Sequence, residues 1–173
     1  MAPRHVAPLV AATALLAAAV PALAHDGGGS GGGGHHGGDV LRAGLAGSTK
    51  PTTIFGIQPG SRNWVVRRGD VRVRRDGRIK VRVRGLVFAP GEIGAGTNPL
   101  PGIAASLFCN GTAAGTTHVF PFSPQGDARI RDQLPAPPQP CANPTVLLNP
   151  APAGTAVTGT YIASSVPQME DDD

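Results

Sequence analysis

After about residue 50 the chain is patterned in twos. Short runs rich in Val, Ile, Thr, Phe and Tyr alternate with polar residues, and each run is bounded by Gly, Pro, Asn or Asp. This spacing predicts strands over 52–57, 63–67, 70–75, 78–88, 103–109, 116–122, 128–133, 145–148 and 155–164. No window of helical length beyond the first two dozen residues keeps an apolar period of 3.6. Many short strands with frequent turn residues predict an all-β domain, a single antiparallel β-sandwich or small barrel.

The stretch VRVRRDGRIKVRVRG, Val71 to Gly85, allows a finer inference. A two-residue loop at Asp76-Gly77 would set Val73 against Lys80 and mix core and solvent residues on both faces, which the strand period forbids. A three-residue loop, Arg75-Asp76-Gly77, pairs Val73 with Ile79 and Val71 with Val81, and puts Gly77 at the left-handed position such loops need. One face is then valine and isoleucine. The other carries Arg72, Arg74, Arg78, Lys80, Arg82 and Arg84, with Arg72 opposite Lys80 and Arg74 opposite Arg78. Like charges held opposite one another carry a cost, which acids, salt or a bound polyanion would relieve. These six residues are the candidate anion-binding set.

The ends of the chain have a different composition. Arg4 and His5, an apolar run from Val6 to Val20 and the small residues Ala22-Leu23-Ala24 read as a secretory signal peptide over residues 1–24. Residues 25–50 begin with nine glycines among the fourteen residues His25 to Gly38 and read as a disordered Gly/His-rich tether. The expected domain covers 51–166, and 167–173 form an acidic disordered tail ending Glu170-Asp171-Asp172-Asp173. The apolar run is too short and too interrupted by Pro8 and Pro21 to remain as a transmembrane anchor. The expected location is therefore secreted, extracellular or at the cell surface. Of 15 Lys and Arg one lies in the leader, which leaves a charge of +3 against the 11 acids.

Two cysteines, Cys109 and Cys141, in an exported chain are expected to pair as a structural disulfide. The run PAPPQP, Pro135 to Pro140, predicts an extended connection that this bridge would pin.

Candidate chemistry is sparse. No G-x-S-x-G or H-E-x-x-H occurs. His118 is the sole histidine of the expected domain and alternates with core positions in Thr116 to Phe120, which suits a strand residue rather than a general base. Asp127 and Asp132 have opposite strand parity and so do not form a carboxylate pair, and Glu92 has no partner in its loop. Asn110-Gly111 reads as a turn. Cleavage would expose His25 at a new N-terminus, where its amine and imidazole, with His35 and His36, are the weak candidates for a copper site. The chain's one Trp and one Tyr provide no stacking platform beside the arginines, which speaks against specific nucleic-acid recognition.

The succession NWVVRRGDVRVRRDGRIKVRVRGLV, AASLFCNG, FSPQGDARIRD, a proline run to the second cysteine, VLLNP and TYIASS resembles uncharacterised exported β-rich proteins of GC-rich bacteria, over about Gly56 to Ser165. The resemblance implies a secreted β domain with its two cysteines paired, and brings no catalytic residues. The expected function is thus a non-enzymatic structural or binding protein at the cell surface, with no cofactor. Its alternatives are a polyanion-binding module, whose partner is an anionic cell-envelope polymer, and a copper binder.

Overall fold

The computed structural model describes residues 38–167. The expected signal peptide, the candidates His25, His35 and His36, and the acidic residues beyond Pro167 lie outside this range. Among the described residues there is no helix. Eleven strands follow one another: β1 (Asp39–Gly47), β2 (Gln58–Pro59), β3 (Trp64–Arg74), β4 (Arg78–Phe88), β5 (Gly102–Cys109), β6 (Thr112–Thr116), β7 (Phe120–Pro121), β8 (Ala128–Gln133), β9 (Thr145–Ala151), β10 (Thr160–Tyr161) and β11 (Ala163–Pro167).

Nine of them make one sheet, in the order β6-β5-β9-β11-β1-β3-β4-β8, with β7 also on β5, while β10 and β2 pair separately. Of the two expected forms the sheet takes the barrel-like one: it is antiparallel and curls on itself as a half-barrel. Ile103, Ala105 and Leu107 of β5 and Val146 and Leu148 of β9 thereby enter the same buried cluster as Val71, Val73, Ile79, Val81 and Ile130 from the other end of the sheet. One curled sheet supplies both walls of the core.

The hairpin follows its parity. Val73 pairs with Ile79, Arg72 with Lys80 and Val71 with Val81. Gly77 has φ 84° and donates its N–H to the carbonyl of Arg74 at 2.9 Å. Residues 63–67 and 70–75, expected as two strands, are one strand, β3.

The fold already includes residues twelve positions before the expected boundary at 51, because Asp39–Gly47 is an interior strand lying between β11 and β3. Its alanines and glycines have little intrinsic strand preference. Ala43 and Leu45 are buried all the same, and close packing against β3 exploits the missing side chains. A Cβ on Gly69 would stand 2.8 Å from that of Leu45.

Residues 52–57 also depart from expectation. Phe55 and Gly56 both have positive φ, and the backbones of Ile54 and Ile57 exchange two hydrogen bonds across them, so this run is a tight turn. It covers the outer side of β5 and β9, where Ile54 and Ile57 pack on Phe108, Leu147 and Tyr161. β5 and β9 are therefore buried on both faces. The expected strand 116–122 breaks at Thr117, whose N–H donates to the Ala105 carbonyl while its hydroxyl accepts the Ala105 N–H. The expected strand 155–164 is shortened to β10 and the start of β11.

Cys109 and Cys141 are bonded, with their Cα atoms 4.9 Å apart. The bridge fastens the end of β5 to the proline-rich connection.

Candidate anion-binding face

On the outer surface the charged residues of the hairpin meet those of its neighbours in rows. Arg42 of β1 lies opposite Arg72, Arg72 opposite Lys80, and Lys80 opposite Arg131 of β8. Four cations thus stand side by side across four strands, a width of about 14 Å at the usual strand spacing. The next row runs Gly44, Asp70, Arg82 and Arg129, and one beyond it pairs Arg68 with Arg84. Two unit charges about 5 Å apart repel by roughly 0.8 kcal/mol even in a water-like dielectric. Salt lowers this cost, and a bound anion reverses it.

The face divides in two. Near the turn, acids reach the cations. Asp39 Oδ1 accepts from Arg72 Nε at 2.7 Å, and Asp39 Oδ2 lies 3.7 Å from Arg42 Nε. Asp76 lies 3.6 Å from Arg78 Nε. Arg74 has the Arg78 position across from it in the same register. At the far end, among the described residues, Arg82, Arg84 and Arg129 take part in no ion pair. These three residues line a depression of about 650 Å³, together with Arg67, Arg68, Asp70 and Asp127.

A bend in the hairpin lies beside this concavity. Gly85 has φ 63°, and beyond it the buried parity of β4 switches from Ile79, Val81 and Val83 to Leu86. The same switch in β3 buries Trp64 and leaves Arg67 and Arg68 both exposed. Asp127 stitches the bend by accepting the Gly85 N–H at 2.9 Å. A regular hairpin would have presented one flat cationic face.

The residues expected to bind anions therefore separate: Arg72 and Arg78 are held by acids, while Arg82 and Arg84 face the depression. Sequence reasoning missed Arg42, Arg67, Arg68, Arg129 and Arg131. In GDARIRD the alternation that marks the hairpin was already legible for Arg129 and Arg131, but nothing in it says that β8 lies beside β4.

His118 lies between β6 and β7 rather than within a strand, with its side chain 87% exposed. Both its N–H and its ring Nδ1 meet Asp132 Oδ2, at 2.8 and 2.9 Å, and Asp132 Oδ1 accepts the Gln133 N–H. This contact links the β6–β7 side of the sheet to β8 across its open seam. Burial raises the Asp132 carboxyl pKa, but the N–H donors of His118 and Gln133 and the His118 ring outweigh it, and the net shift is downward. A carboxyl lowered in the fold contributes stability above its ordinary value of 3.8, and that contribution is lost as pH falls through the lower folded value. Asp132→Asn should cost about 1 to 2 kcal/mol at pH 7, measured by urea unfolding. The variant should also lose less stability than the wild type as the pH falls below about 4.

Asp127 and Asp132 serve separate contacts, as their parity requires. Glu92 accepts the backbone N–H of Asn63 at 3.0 Å. Asn110-Gly111 is a turn, with φ values of 51° and 79°. Among the described residues, no group of three His, Cys, Asp or Glu side chains is placed to hold a metal ion, and no helix is long and apolar enough to cross a membrane. Trp64 and Tyr161 are 4% and 1% exposed, so neither ring offers a stacking surface. The chain matches no family model, and comparisons with curated proteins and with solved structures give no match.

Proposed function

We propose that this chain is an exported, non-enzymatic β protein that binds an anionic polymer of the cell envelope, and that the arginine-lined depression is where it binds most strongly. The observation that carries the reading is the set Arg82, Arg84 and Arg129, which line one concavity from neighbouring strands and, among the described residues, form no ion pair, so that with Arg67 and Arg68 five arginines outnumber the two acids of the lining, Asp70 and Asp127. Guanidinium groups suit the task, since their planar donors engage phosphate, sulfate or carboxylate oxygens in pairs. Field lines focused in a concave site raise the local concentration of anions. The turn end contributes less, because Asp39 and Asp76 already offset its charge.

Retention on a heparin column tests this. The triple variant Arg82→Gln, Arg84→Gln, Arg129→Gln should elute at clearly lower salt, and the log–log salt slope of its heparin affinity should fall by about 2 to 3, roughly one per lost contact. Arg72→Gln with Arg78→Gln should shift elution less. Unchanged elution of the triple variant would sink the proposal.

A further inference from the structure

A second depression, of about 450 Å³, adjoins the arginine-lined one, and Pro121 and Asp127 belong to the walls of both. Its character is the opposite. Pro99, Pro101, Pro121 and Pro124 are exposed there beside half-buried Leu100. Prolines have no N–H to offer a ligand. The polar side chains of this wall are turned to internal use. Asn98 donates to the carbonyls of Leu100 and Ser123 and accepts the Leu100 N–H, and Ser123 Oγ accepts the Asp127 N–H. Asp127 itself holds the Gly85 N–H. What remains to a ligand is apolar contact over a rigid proline floor, next to a cluster of guanidinium groups.

From this juxtaposition we infer that the two depressions form one bipartite site for an anionic amphiphile, with a phosphate- or sulfate-type head among Arg82, Arg84 and Arg129 and an aliphatic chain along Leu100 and Pro121. The inference rests on the anion-binding reading and adds an apolar half to its ligand. A sugar ring fits this floor less well, since its hydroxyls would find few free partners and the one aromatic residue of the lining, Phe122, is only 4% exposed.

The test is calorimetric titration of the full chain with ethyl, hexyl and dodecyl phosphate, each kept below its micelle concentration. Affinity should rise roughly two- to fourfold for each added methylene that the floor covers. Leu100→Asn should flatten that series and leave heparin elution unchanged, whereas Leu100→Met should keep both. Equal affinities for ethyl and dodecyl phosphate would overturn the inference, and the wild-type series decides it even if Leu100→Asn fails to fold. It is also overturned, in favour of docking on a membrane surface, if phosphatidylglycerol vesicles sediment the protein while dodecyl phosphate binds no better than ethyl phosphate. A rising alkyl series with heparin elution unchanged in the triple arginine variant would remove the polymer reading alone.

Discussion

Replacing Gly47 by alanine is expected to cost about 3 kcal/mol or more, a large share of a small domain's stability, and so to leave much of the protein unfolded at 37 °C. A Cβ at this position would lie 2.0 Å from the carbonyl oxygen of Trp64, 2.5 Å from its carbonyl carbon and 2.9 Å from the Cα of Val65. All three are backbone atoms of β3, so no side chain can rotate away. The backbone around them is committed as well. Gly47 pairs with Ala163 on β11, the Ser48 N–H donates to the Ile162 carbonyl, and the Trp64 N–H donates to the Ser48 carbonyl at 2.8 Å. Relief of the clash would have to break these contacts at the strand that joins the two halves of the sheet. Gly159→Ala is the matched control. Nothing lies within 4 Å of its added Cβ and its φ is not in the left-handed region, so its unfolding free energy in urea should stay within about 0.5 kcal/mol of the wild type. Similar midpoints for the two variants would show that β1 yields to β3, contrary to the geometry.

Removing the disulfide should have an effect of similar size by another route. Cys109 and Cys141 close a loop with a sequence separation of 32, and tethering such a loop restricts the unfolded chain by about 3 to 4 kcal/mol on the entropic account. The folded consequences are local. The bridge holds the proline-rich connection against the end of β5, where the Asn110 N–H also donates to the Ala142 carbonyl. The double substitution Cys109→Ala, Cys141→Ala should therefore lower the urea midpoint strongly and raise protease sensitivity first within residues 134–144. Outside its turn, where the Leu134 N–H donates to the Gly77 carbonyl at 2.9 Å, the β3–β4 hairpin should keep its amide-exchange protection in the remaining folded molecules. A loss below about 1 kcal/mol would mean that the connection is held by its own packing.

The strongest inference from sequence was local, and it came from parity. Alternation between Val71 and Arg84 admits one register that puts every apolar residue on a single face, and the structure has that register, with the turn at Arg75 to Gly77. An all-β fold and the pairing of the two cysteines were legible for similarly local reasons, through turn residues, strand period and cysteine number. β1 was hidden because Asp39–Gly47 contains no β-branched residue except Val40, and small residues are read as strand only when a neighbouring backbone is known to press on them. Gly47 against the backbone of Trp64 is such a case.

The cationic face divides along the same line. By itself the chain determined that the hairpin has an arginine side, since a period of two leaves the arginines nowhere else to go. Only the tertiary structure decided which arginines stand together. The order of strands puts β1 and β8 on either side of the hairpin and so adds Arg42, Arg129 and Arg131. The fold also carries Asp39 to Arg72 across 33 residues, and it sets Arg82 and Arg84 in the wall of a depression shared with Arg129. Pattern along a strand is a property of neighbours in the chain. Partnership across strands is a property of how the sheet curls.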